Sequence, residues 1–102
     1  MRYEVTSTVI FNRWLAKVKD RQAVKAIVLR LARVEAGNLG DIESVGGRIS
    51  EMRIFVGKGY RIYFTIQNMT VVILLCGGTK NSKKQQQKDI RQAERILIEL
   101  ED

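Results

Sequence analysis

Three basic side chains have the types and spacing for work on a phosphate. Arg53 and Arg61 flank the turn Gly57-Lys58-Gly59, and Lys80 follows the pair Gly77-Gly78. A guanidinium donates in a planar fork that matches a phosphate. Two such groups with an ammonium can neutralise the extra charge of a phosphorane as it forms. Lys58, Lys83 and Lys84 lie in the adjoining turns, and Arg48 opens the same stretch of chain. The same arginines have a plainer option, pairing with Glu43, Glu51 or a carboxylate of the tail as surface ion pairs worth little.

Other catalytic devices are missing. The chain has no histidine, so no imidazole can move protons at neutral pH. It has neither G-x-x-x-x-G-K-[ST] nor G-x-G-x-x-G, and Gly57-Lys58-Gly59 and Gly77-Gly78 read as short turns. Among the carboxylates only Asp41, Glu43, Glu51 and Asp89 lie near the basic centre, without the spacing of a two-metal site, so no metal or cofactor is expected. The single cysteine, Cys76, cannot form an internal disulfide or a multi-thiolate zinc site. It sits in the apolar run Val71 to Cys76, which predicts a buried, reduced thiol. That run is the longest of its kind and falls short of the ~20 residues that span a bilayer. The start, Met1-Arg2-Tyr3-Glu4-Val5-Thr6, lacks the apolar core of a signal peptide. A soluble cytoplasmic protein with no membrane partner is expected.

The charge is uneven. Of the +7 total, residues 1–41 carry +4, residues 42–88 carry +6 and residues 89–102 carry −3. A basic middle followed by an acidic tail suits a nucleic-acid or ribosome partner, although such a surface also serves solubility.

The 102 residues are enough for one domain, 1–102, and too few for two of ordinary size. Arg2 to Thr6 alternate as a short strand. Ser7 or Thr8 then caps a helix with Phe11, Trp14, Leu15 and Val18 on one face. Trp14 within that stripe is read as core rather than as a base-stacking residue. Asp20 caps a second helix with Val24, Ile27, Val28, Leu31 and Val34 on one side, ending at Gly37-Asn38. Past Gly40 the period changes from 3.6 to 2 and predicts three strands, Arg48 to Val56, Tyr60 to Gln67 and Thr70 to Cys76, the last ended by Gly77-Gly78. If Met52 and Ile62 face the core, Arg53 and Arg61 project together from the opposite, open face. A last helix runs from about Lys83 to Leu100, with Ile90, Ala93, Ile96, Leu97 and Leu100 as its stripe. The expected fold is α+β in the order βααβββα, a helical hairpin packed on an antiparallel sheet.

Six segments carry a resemblance: Phe11-Asn12-Arg13-Trp14-Leu15, Arg30-Leu31-Ala32-Arg33, Gly37-Asn38-Leu39-Gly40-Asp41, Val45 to Ile54, Gly59-Tyr60-Arg61-Ile62-Tyr63-Phe64 and Leu74 to Lys80. They resemble the RelE/HigB toxin superfamily, and within it the "addiction module killer protein" branch, most specifically over Glu51 to Phe64. The resemblance implies a small RelE-like (microbial RNase-like) domain. It implies the toxin of a type II toxin–antitoxin module, a metal-independent endoribonuclease (mRNA interferase) that cuts mRNA on the ribosome and so inhibits translation. Its implied partners are ribosome, mRNA and a cognate antitoxin, usually of helix-turn-helix type, in a toxin–antitoxin hetero-oligomer. Arg61 matches the arginine of the G-Y-R motif and is assigned with Arg53 to the scissile phosphate. Lys80 corresponds to a basic active-site residue, for phosphate stabilisation or protonation of the leaving oxygen. Arg48, Lys58, Tyr63, Lys83 and Lys84 are assigned to RNA binding.

Two departures bear on this assignment. RelE-like toxins often have a second lysine where this chain has Glu51, and a tyrosine early in the last helix where it has Gln85 to Gln87. Tyr60 or Tyr63 is then left to stack on a base, with packing the expected job of Tyr60. The alternatives are a ParE-like gyrase poison, against which Arg53, Arg61 and Lys80 argue, and a non-catalytic RNA-binding module.

Overall fold

The computed structural model describes residues 2–101. Its elements are β1 (Glu4–Ser7), α1 (Val9–Lys17), α2 (Arg21–Glu35), β2 (Ile42–Gly46), β3 (Ile49–Ile54), β4 (Tyr60–Gln67), β5 (Val71–Thr79) and α3 (Lys83–Glu101). The fold is α+β as expected, with one strand more than the sequence reading and a mixed sheet in the order β1-β5-β4-β3-β2. β1 runs parallel to β5, because the chain between them supplies the long crossover that parallel neighbours need. The other pairings are antiparallel.

Local chemistry sets the helix ends. Thr8 Oγ1 accepts from Phe11 N at 3.0 Å and starts α1, and Asp20 accepts from Gln22 N and Ala23 N and starts α2. Gly37, at φ 102°, closes α2: its N–H donates to Val34 O and that of Asn38 to Arg33 O, the paired bonds of a Schellman motif. Asn68 and Met69 both have positive φ, 51° and 60°, in the tight β4–β5 turn.

The sheet carries two cores. On one face, α1 and α2 cover Met52, Ile54, Ile62, Phe64, Val72 and Leu74, with Phe11, Ile27 and Val34 contributed by the helices. On the other, α3 lays Ala93, Ile96 and Leu97 over Ile49, Tyr63, Leu75 and Cys76. The face expected to be open is therefore half covered: the α3 stripe needs an apolar partner, and this end of the sheet provides one. Leu100 and Val28, expected in the core, are 50% and 52% exposed because the apolar stripes are narrower than the periodicity suggests.

Two strand boundaries also differ. Ile42–Gly46 is an edge strand paired with β3, missed because only Ile42 and Val45 are apolar in it. Gly77 and Gly78 do not end β5 but lie within it, opposite Ile62 and Arg61.

The thiol of Cys76 is buried and free, and burial, with Asp89 beside it, pushes it up to about 12. Burial thus keeps the side chain in its unreactive thiol form. Ellman's reagent is expected to label the native chain only at the rate of unfolding and the urea-unfolded chain at once. Rapid labelling in buffer would show that the α3 layer opens easily.

Candidate functional site

Arg53 and Arg61 are direct cross-strand partners, and Gly78 is the partner of Arg61 on its other side. Alternation puts Glu51 and Arg53 of β3, and Arg61 and Tyr63 of β4, on the face that α3 half covers, and Phe55 follows just past the end of β3. Lys80 follows β5 on that same face. Its backbone N–H donates to Gly59 O at 2.9 Å, and its Nζ lies 5.0 Å from the centroid of the Phe55 ring. The three predicted phosphate-binding groups thus gather where β3, β4 and β5 meet, just beyond the first turn of α3.

Both arginines are already engaged by carboxylates. Arg53 donates from Nη2 to Asp41 at 2.7 Å and from Nη1 to Glu43 at 2.8 Å. The bond to Arg53 holds the Asp41 carboxyl below its ordinary value, and the same bond raises the guanidinium. These partners belong to the loop before β2 and to β2 itself, an edge strand with little periodic signal in its sequence. The carboxylate sides of these pairs are exposed, 42% for Asp41 and 59% for Glu43, so each pair is worth little in water.

Arg61 is held differently. Its Nε is buried, makes no hydrogen bond and lies 3.6 Å from Glu51 Oε2. Glu51 is 2% exposed and accepts from Gln86 Nε2 of α3 at 2.9 Å. Asp89 completes the surroundings over Gly78, where a Cβ would stand 2.4 Å from its Oδ2. Burial raises the Asp89 carboxyl, while the hydrogen bond from Gln85 and the charge of Arg61 pull the other way. Glu51 therefore holds Arg61 from below, and the Arg61 side chain keeps 13% of its surface exposed.

The remaining assignments separate. Tyr63 is fully buried in the second core, its hydroxyl without a partner, and offers no surface to RNA. Burial, with Glu51 and Asp89 nearby, raises its phenol. Arg48 precedes β3 at the opposite end of the sheet, paired with Glu101, and the structure does not bring it to the site. Lys83 and Lys84 are exposed in the first turn of α3 beside the cluster, and Lys58 is exposed in the β3–β4 turn. Phe55 joins the site as a side chain that composition and motif do not single out. It is 64% exposed, lies under Lys80 Nζ, and lines with Arg53 a shallow cleft against α2.

Arg30 stands in the segment Arg30-Leu31-Ala32-Arg33. It donates to Leu39 O, Asp41 O and Arg53 O, and so ties α2 to the backbone that carries Asp41 and Arg53. Burial lowers its guanidinium. Among the described residues there is no group of three or more His, Cys, Asp or Glu arranged to hold a metal ion. Among the described residues no helix is long and apolar enough to cross a membrane.

The profile of the family described as "Phage derived protein Gp49-like (DUF891)" matches residues 13–97. The chain belongs to this family. The matched span of the Gp49-like chain contains the whole basic cluster, its carboxylate partners and Phe55. A relative described as an uncharacterized protein, from Haemophilus influenzae (strain ATCC 51907 / DSM 11121 / KW20 / Rd), is 45% identical over 100 residues, 98% of each chain. Among solved structures, a chain in the crystal structure of the toxin–antitoxin complex RelBE2 from Mycobacterium tuberculosis superposes with a TM-score of 0.63 at 21% identity. The match covers 78% of this chain and 100% of that one. At that identity the likeness speaks for the fold.

Proposed function

We propose that this Gp49-like protein is the RelE/HigB-type toxin of a type II toxin–antitoxin module, an endoribonuclease that cuts mRNA on the ribosome in the cytoplasm. The observation that carries the reading is the cross-strand pair Arg53–Arg61, with Lys80 at the end of the adjoining strand on the same face. The fold likeness to a chain of a toxin–antitoxin complex supports it.

The RNA supplies its own nucleophile. The 2′-oxygen bonds to the adjacent phosphorus as the bond from phosphorus to the 5′-oxygen breaks, giving a 2′,3′-cyclic phosphate and a free 5′-hydroxyl. The proton of the 2′-hydroxyl passes to solvent water, and the departing 5′-oxygen takes one from Lys80 or from water. The protein's work is alignment and charge stabilisation. Arg61, fixed by Glu51, faces the phosphorane with the outer part of its fork, and Arg53 exchanges Asp41 and Glu43 for a phosphate oxygen. Lys80 stabilises or protonates the leaving oxygen. Phe55 takes over the base-stacking role given to Tyr63, and Lys58, Lys83 and Lys84 draw in flanking phosphates. A cognate antitoxin, of helix-turn-helix type, is the silencing partner.

The test is induction of wild type and of Lys80→Ala in cells, with mRNA 5′ ends mapped. Cuts within translated regions are expected for wild type, absent when translation initiation is blocked, and about 100-fold fewer in the variant. Intact transcripts together with trapped, cleaved DNA would point to a gyrase poison and overturn the proposal.

A further inference from the structure

On the reverse side of the same strand ends lies a cleft of about 590 Å³, between the end of α1, the α1–α2 loop and the β3–β4 turn. Its aromatic wall and floor are Trp14 and Tyr60, whose rings meet edge to face at 6.2 Å. Its rim carries Lys17, Lys19 and Lys58. The acid at the rim, Asp20, has its Oδ1 engaged in capping α2, and its Oδ2 sits against Gly57. Three ammonium groups around an aromatic wall form a surface for a flat ring attached to phosphates.

The cleft and the basic cluster lie back to back on the same strand ends. Tyr60 and Thr79 form the pair next to Arg61 and Gly78, and alternation turns Tyr60 to the cleft and Arg61 to the other face. The β3–β4 turn, with Lys58 at its tip, is the edge between them.

From this juxtaposition we infer that the Trp14 cleft is a second RNA subsite. It takes one unpaired base of the strand held at Arg61 and Lys80, with the flanking phosphates on Lys17, Lys19 and Lys58. The inference rests on the proposed reading of the basic cluster as an RNA site. It also revises the role of Trp14: one side of the ring packs on Gly77 and the core, and the other is offered to the base.

Trp14 is the only tryptophan in the chain, so its emission reports on the cleft alone. The whole protein is titrated with a fluorescein-labelled 2′-O-methyladenosine hexamer, which lacks the nucleophile, while anisotropy and Trp14 emission are followed together. Quenching with the same midpoint as the anisotropy rise is expected. In the double variant Lys17→Ala, Lys19→Ala, two lost phosphate contacts are expected to weaken binding about tenfold and to flatten the salt slope by about 1.4. Binding with unchanged Trp14 emission, no binding, or an unchanged slope in the double variant would each overturn the inference. Transcripts cut in cells while Trp14 stays silent would sink the cleft and spare the proposed function. A quenched Trp14 with transcripts intact would do the reverse.

Discussion

Arg61→Ala is expected to lower mRNA cleavage about 10²- to 10³-fold and to destabilise the fold by about 3 kcal/mol, two effects with different origins. The first is the loss of oriented donors from the place where charge builds on the phosphorane. The second comes from below. The Glu51 side chain is 3% exposed and the Arg61 side chain 13%, so the pair is largely out of water. Removing the guanidinium leaves a buried carboxylate with Gln86 as its remaining partner. Breaking such a pair from one side costs about 3–5 kcal/mol, and the 3.6 Å separation, longer than a hydrogen bond, argues for the lower end. Arg61→Lys separates the two effects. An ammonium keeps the charge opposite Glu51 but not the planar fork, so urea unfolding should stay close to wild type while cleavage remains depressed. If the lysine variant cut mRNA at the wild-type rate, Arg61 would be a structural partner of Glu51 and the phosphate assignment would fail.

The sequence showed the two arginines as a pair and hid what holds them. Period-two alternation placed Met52 and Ile54 on one face and Glu51 and Arg53 on the other, and the short glycine turn then set Arg61 beside Arg53. Both inferences need only local patterns. The partners of Arg53 come from Asp41 and β2, an edge strand with two apolar residues, whose pairing is decided by β3 and leaves little periodic trace. Glu51 looked like a departure from a lysine pattern. Its meaning appeared only when α3 folded over the sheet and buried it with Gln86, a contact across 35 positions. Tyr63 was misassigned for the same reason, since a residue on an open face becomes core once a helix lies on it. Phe55 needed no tertiary information. The alternation already aligned it with Arg53, and a large apolar side chain on a basic face is a signal in its own right.

Gly77→Ala is expected to destabilise the protein by about 3 kcal/mol, lowering the melting temperature by roughly 10–20 °C. In an ordinary strand the opposite sign is expected, because glycine weakens a strand interior and alanine restores stiffness. Neither Gly77 nor Gly78 is among the glycines with positive φ, so the backbone conformation itself admits alanine. The obstacle is space on the helical face. A Cβ at Gly77 would stand 2.3 Å from Trp14 Cε3, with two more ring atoms at 2.5 Å. Phe11 at 5.7 Å and Tyr60 at 6.2 Å flank the ring, so it can yield only by swinging out toward the cleft and giving up its packing on the core. At Gly78 the clash is with the carboxylate end of Asp89, a side chain that can turn away, so Gly78→Ala should cost less in stability and act on the surroundings of Arg61 instead. The pair Gly77-Gly78, which looks like the end of a strand, is thus a place where a strand is thinned on both faces. Trp14 seats on one side and Asp89 on the other. A double-mutant cycle checks this directly: Trp14→Leu in the Gly77→Ala background should recover part of the lost stability, with a coupling of about 1–3 kcal/mol. Additive effects within about 0.5 kcal/mol would show that the ring does not rest on the glycine, and the close packing of α1 on β5 would need another explanation.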